Sequence, residues 1–304
     1  MLYHYRVEDS EGRLIDESTF QTAELPGTRK ITFVAVSDSG QVDENSGTPE
    51  GDLEDLFGSG VPDGKQRQVV AAILRSNPQP ELLLHCGDVL QGSGERQFYA
   101  RAFFRPFGPL IDHVPIFPAL GNHDNSAQHG APWLDAFTTP ANNPEGSERY
   151  YSFDWGDVHF VALDVVSTPF ESGTPQRVFL EQDLAATTAA WKVVYFHRPP
   201  YSGGRHGDNP QIVEKLVPVF EQYHVDLVLS GHEHTYQRMK PRNGVTYIVV
   251  GSGGADVRGF KPSEDIAFGA GRYCFVRGTA DAQSLIIEGI GLKDDVFDSV
   301  TLQH

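Results

Sequence analysis

The chain has 304 residues, 39% of them apolar and 21% charged, which is enough to bury a sizeable core and excludes a fibrous or wholly disordered chain. Lysine and arginine (24) against aspartate and glutamate (41) give a formal charge of −17, which argues against duplex nucleic acid or an anionic membrane as partner but not against a small anionic substrate. No apolar run approaches the ~18 residues of a membrane span, Met1 to Tyr5 do not read as a signal peptide, and the two cysteines, Cys86 and Cys274, are expected as buried thiols.

Leu2 to Val7 and Leu14 to Thr22 read as strands joined by the turn residues Glu8 to Gly12, a short hairpin. From Lys30 onward strands alternate with helices, the pattern of a layered α/β fold. Strands are expected at Ile31 to Val36, Glu81 to Cys86, Val114 to Pro118, Tyr150 to Phe153, Val158 to Asp164, Lys192 to Phe196, Val225 to Leu229 and Thr246 to Val250. Helices are expected at Gly64 to Arg75, Gln97 to Phe104, Arg177 to Ala186 and Pro210 to Tyr223. The late strands Cys274 to Val276, Ser284 to Glu288 and Val296 to Thr301 have no helices between them, so antiparallel pairing and a mixed sheet are expected. Asp38 to Gly64 carries eight acidic residues and no lysine or arginine, and reads as a solvated loop, since no regular calcium-loop spacing fits it.

Five apolar strands end in metal-type ligands. Ile31 to Val36 runs into Ser37-Asp38-Ser39-Gly40, Leu82 to Cys86 into Gly87-Asp88, and Ile116 to Leu120 into Gly121-Asn122-His123-Asp124. Val193 to Phe196 runs into His197, and Leu227 to Leu229 into Ser230-Gly231-His232-Glu233-His234. The carboxyl edge of an open α/β sheet is where loops aim side chains at a common ligand. Two carboxylates, one amide and three imidazoles are mixed oxygen and nitrogen donors suited to zinc, manganese or iron, without the thiolates of a structural zinc site. Six donors exceed what one catalytic ion needs, so two cations sharing a carboxylate are expected, with Asp88 as the bridge. His232 and His234 lie two apart, which in an extended loop turns their rings to one side and Glu233 to the other.

As a set these residues resemble the calcineurin-like metallophosphoesterases, and within them the purple acid phosphatase type, over about Lys30 to Leu302. The resemblance implies two mixed sheets packed face to face with helices outside, a four-layer α/β sandwich over residues 29–304. It implies too that residues 1–28, the hairpin, are a remnant of a preceding β-sandwich domain. It implies one cation on Asp38, Asp88 and His234 and another on Asp88, Asn122, His197 and His232, as divalent or mixed-valence iron, manganese or zinc. His123 is then the general acid, oriented by Asp124, and His206 a contact to the phosphoryl group; a flexible glycine-rich loop with an exposed histidine describes His206 equally well.

Two ligands of that pattern are missing. Purple members carry a coloured iron-bound tyrosine three residues after the bridging aspartate, where this chain has Gln91; the wider family has a histidine two residues after the first aspartate, where it has Gly40. Either water or the Gln91 amide completes that shell or the cation there is held more weakly, and His85 is expected to point to the opposite strand face. The expected reaction is hydrolysis of small phosphomonoesters by hydroxide on the metal pair, with a phosphodiesterase or a non-catalytic ligand-binding protein on the same fold as alternatives. Enzymes of this type are often exported, so the compartment stays open.

Overall fold

The computed structural model describes residues 2–40 and 64–303; residues 41–63, most of the acidic stretch, lie outside them. The chain opens with the antiparallel hairpin of β1 (Leu2–Glu8) and β2 (Leu14–Gln21). The β-branched run of β3 (Ile31–Val36) is buried throughout, and α1 (Lys65–Arg75) lays Val69, Val70, Ala72 and Ile73 toward the core before β4 (Leu82–His85). Next come α2 (Arg96–Tyr99) and α3 (Arg105–Ile111), continuous through a π-helical turn at Ala100–Phe104. Pro106 lacks the N–H that an α-helix would direct to Ala102, and the Gln66 side chain donates to that carbonyl instead at 2.7 Å.

The chain continues through β5 (Ile116–Pro118), α4 (Ala131–Ala136), β6 (Tyr151–Trp155), β7 (Val158–Ala162), α5 (Pro175–Ala186) and β8 (Trp191–Phe196). After these come α6 (Pro210–Lys215), capped by the Asn209 side chain, α7 (Val217–Gln222), β9 (Leu227–Ser230), β10 (Tyr236–Met239) and β11 (Thr246–Val250). The last strands are β12 (Ile266–Ala270), β13 (Cys274–Ala280), β14 (Ser284–Gly291) and β15 (Val296–Gln303). The helix expected at Pro210 to Tyr223 is two helices, because Pro218 cannot donate the bond that would carry one through Leu216. The helix expected at Gln97 to Phe104 runs on into α3, and the short elements α4, β10 and β12 are additions to the expected set.

Two mixed sheets result, β12-β10-β11-β9-β8-β7-β6 and β15-β14-β13-β3-β4-β5, in the arrangement that the family resemblance implies. Ile31, Phe33 and Ala35 from one sheet meet Tyr151, Phe160, Val193 and Ile248 from the other in a core between the two. On the outer faces α1 to α4 cover the six-stranded sheet and α5 to α7 the seven-stranded one, which makes four layers. Both cysteines are buried and free, Cys86 among the residues between the sheets. The hairpin touches this body through Ser18 Oγ with His113 Nδ1 (2.7 Å) and Tyr5 Oη donating to the Asp112 carbonyl (3.3 Å), and leaves Leu2, Leu14 and Ile15 exposed.

One buried imidazole ties α5 to the sheet. His159 on β7 lies 2.7 Å from Asp154 and 2.7 Å from Asp183, and although burial opposes charge there, the two carboxylates push it up to about 9. Its proton therefore stabilises the fold fully below about 6.5, and that contribution fades as pH rises through about 9. Melting curves of wild type and His159→Gln should differ most near pH 6, by roughly 2 kcal/mol, and converge by about pH 9.5. A gap that widens with pH would contradict this pairing.

Candidate metal centre

The parallel strands β3, β4 and β5 of one sheet and β8 and β9 of the other end on a common rim. Past the strand ends the loops run side by side: Asp38 N donates to Gly87 O (3.1 Å), Ser39 N to Asp88 O (3.2 Å), and Gly231 N to His197 O (2.8 Å). Asp38, Asp88 and His232 all adopt left-handed backbone, with φ of 56°, 51° and 69°, a conformation costing on the order of 1 kcal/mol or more that persists only where surroundings dictate it. Gly121 is required at its place, since a Cβ there would collide with the Asp88 amide and carboxylate.

Donor atoms of Asp88, His197 and His232 lie within 4.8 Å of one another, the one such group of three among the described residues. Asn122 joins them through Oδ1, 3.1 Å from His197 Nε2, which is itself 3.2 Å from Asp88 Oδ2. Asp38 and His234 form a neighbouring pair, Oδ1 to Nε2 at 3.4 Å, and the His232 amide donates to Asp38 Oδ2 at 2.8 Å, joining the pair to the trio. All six expected donors thus gather in one region, four in a tight cluster and two beside it.

The donors fit a cation on three counts. The buried Asp38 Oδ1 has no hydrogen-bond partner. His197 and His234 each direct Nδ1 at a backbone carbonyl, Cys86 O at 3.0 Å and Asp256 O at 2.9 Å, so that Nδ1 keeps a proton and Nε2, facing the other donors, is the nitrogen that can exchange its proton for a cation. The local field also attracts positive charge: burial disfavours a charged His197, yet Asp88 and Asp38 push it up to about 9. Burial likewise works against ionised Asp38, but His234 and His197 hold its carboxyl well below the usual range. His232, pushed down to about 3 by burial and then by His197, stands as the neutral imidazole that metals take.

The positions of the two missing ligands differ in character. A Cβ on Gly40 would collide with the Val89 carbonyl, so no side chain fits there. Gln91 tolerates one, and its buried Nε2 has no partner. His85 lies in the outer core, with Nε2 2.8 Å from Ser39 Oγ and its ring edge-on to Phe103, and burial pushes it down to about 3.

Asp124 requires a correction. Its carboxylate is spent on backbone, accepting from Val89 N (3.1 Å), Leu90 N (3.0 Å) and Gly121 N (3.0 Å), so it braces the Asp88 loop instead of orienting His123. Burial first, then Asp88, raises it to about 7 against those three amides. The His123 ring is held by the Gly92 carbonyl, 2.7 Å from Nδ1, while its Nε2 stands 3.9 Å from Asp88 Oδ2. The His123 amide donates to Asp88 Oδ1 at 2.8 Å. His206 is exposed, and its ring stacks on His232 with centroids 4.4 Å apart. Sequence reasoning missed Gly92 because a backbone carbonyl carries no residue-type signal.

The family model described as calcineurin-like phosphoesterase matches residues 31–236, a span that takes in every donor from Asp38 to His234. "Probable inactive purple acid phosphatase 1" of Arabidopsis thaliana is 26% identical over a 351-residue alignment that covers 99% of this chain and 55% of the relative. "Purple acid phosphatase 21" of the same plant is 34% identical over 153 residues, covering 46% of this chain and 34% of the relative. The solved structure of a purple acid phosphatase from yellow lupin (Lupinus luteus) seeds has the same fold, with a TM-score of 0.83 at 22% identity over 99% of this chain and 59% of that one. The chain spans about half the length of the curated relatives it matches.

Proposed function

Because the chain belongs to the calcineurin-like phosphoesterase family and is purple acid phosphatase-like, we propose that it is a metal-dependent hydrolase of small phosphomonoesters built on two cations. The observation that carries this reading is the gathering of six oxygen and nitrogen donors, with Asp88 between His197 and the His123 amide and Asp38 tied to His232. Asp38, Asp88 and His234 would hold one cation, and Asp88, Asn122, His197 and His232 the other. Bound there, the pair supplies Lewis acidity toward phosphoryl oxygens and ionises water near neutral pH.

The chain's own residues do the rest. With Nδ1 donating to Gly92 O, His123 in its cationic form carries its transferable proton on Nε2, facing the Asp88 side of the site, where it can protonate a leaving oxygen. Asp124 keeps the Asp88 loop in place through three backbone bonds.

Phosphate release tests the reading on protein reconstituted separately with manganese, zinc, iron and cobalt. Monoesters should turn over with at least one metal and not with the metal-free protein. A preference for diesters would move the assignment to a phosphodiesterase. No turnover with any metal would favour a second reading, a ligand-binding protein on this fold, to which Gly40 and Gln91 lend support at the Asp38 side.

Colour gives a separate check. Iron-loaded wild type should show no strong visible charge-transfer band, whereas Gln91→Tyr should gain one, because the Gln91 amide is buried and unpartnered beside the Asp88 loop. A strong band in the wild type would contradict this placement of residue 91.

A further inference from the structure

We propose that Glu233 is a positioning residue, which locks the glycine-rich loop at 203–206 and aims His206 at the anion in the site. The identity of that anion, a phosphoryl group, rests on the proposed hydrolase function. Glu233 stands between His232 and His234 and is 1% exposed, so a carboxylate there needs donors. It has three from two consecutive residues: Oε2 accepts from Arg205 N at 2.8 Å, and Oε1 from His206 N at 2.7 Å and from His206 Nδ1 at 2.9 Å. Hydrogen bonds to a charged acceptor are the stronger class, and three on one side chain fix both backbone and ring.

The loop is built around this carboxylate. A Cβ on Gly204 would collide with Glu233 Oε2, so glycine is needed for the close approach. Gly203 N donates to Gln237 Oε1 at 2.8 Å and Gly203 O accepts from Lys261 N at 2.7 Å, which pins the other end. Nδ1 of His206 is thereby committed, Nε2 has no protein partner among the described residues, and the ring lies stacked on His232. One residue thus couples the strand-end loop carrying two candidate metal ligands to the side chain that would meet the substrate. The left-handed backbone at His232 and the tight turn closed by Glu233 N on Gly231 O (2.8 Å) and Thr235 N on Glu233 O (2.6 Å), rather than a plain extended alternation, carry Glu233 to this loop.

The test uses Glu233→Gln and His206→Ala, alone and combined. In the metal-free wild type, two-bond nitrogen–proton spectra at a pH where the ring is neutral should find the His206 proton on Nδ1, and Glu233→Gln should abolish that preference. In the manganese-loaded protein, inorganic phosphate should bind about tenfold more weakly to each single variant, the loss of roughly one charge-assisted contact. The double variant should bind no more weakly than His206→Ala. A wild-type proton on Nε2, or a double variant that loses the sum of the two single effects, would overturn the proposal. Should the wild type bind no phosphate, the hydrolase reading fails, and the tautomer in the metal-free protein still decides the role of Glu233.

Discussion

Replacing Asp88 with asparagine should lower phosphoester hydrolysis by on the order of 10³ and metal affinity by more than about 100-fold, the largest effects expected of any single change. In the proposed centre Asp88 is the side chain that the two cations would share, and it stands among the four tightly clustered donors. Its Oδ2 lies 3.2 Å from His197 Nε2, and its Oδ1 accepts the His123 amide at 2.8 Å. Asparagine retains a carbonyl oxygen for that amide, so the turn from Gly121 to Asp124 should survive and the circular dichroism spectrum should stay that of the wild type. The change removes one negative charge from a buried pocket whose field is strong enough to push His197 up to about 9. Titration calorimetry with manganese and phosphate release measured on the same preparation check the result together. A variant that keeps both metal affinity and turnover would remove Asp88 from the centre.

His123→Ala should cost alkyl phosphates roughly 10² to 10³ in kcat/KM and nitrophenyl phosphate less than about tenfold. The difference arises from the leaving group: an alkoxide needs a proton as it departs, and nitrophenolate scarcely does. The geometry suits the task. The Gly92 carbonyl holds Nδ1, the ring is partly exposed at the mouth of the site, and Nε2 faces the Asp88 side at 3.9 Å. Since the backbone amide of residue 123, which anchors Asp88, is kept in the alanine variant, the metal content should not change. Equal losses on the two substrates, measured side by side, would take the acid role away from His123.

The layers and the donors were legible because both rest on local pattern. Uninterrupted apolar runs such as Ile31 to Val36 and Leu82 to Leu84 announce buried strands, and the polar residues at the end of each run land on the carboxyl edge of the sheet. Of the strands that escaped notice, β10 is short and polar for a reason visible only in three dimensions. In β10 the Tyr236 hydroxyl and the Arg238 guanidinium both reach Asp298, about sixty residues away, so their polarity is satisfied by a distant strand. The short helix α4 comes after left-handed backbone at Gln128, His129 and Gly130, a turn with no strong residue signature.

Within the site, residue type identified which side chains gather but not the task of each polar atom there. Asp124 beside His123 suggests a carboxylate–imidazole pair, yet its oxygens are taken by the amides of Val89, Leu90 and Gly121. Glu233 reads as a residue turned away from the histidines, and where it turns depends on the loop at 203–206, which is distant along the chain. Backbone donors and acceptors decide both cases, and side-chain identity does not encode them.

We propose that Asp38 and Asp88 together serve two cations close enough to share Asp88. Electron paramagnetic resonance of the manganese-saturated protein, with the metal counted on the same sample, tests it most directly. Two manganese ions per chain and the signal of an exchange-coupled pair are expected, the signal being lost in Asp88→Asn. A single bound ion, or two ions giving only the spectrum of isolated manganese, would contradict it.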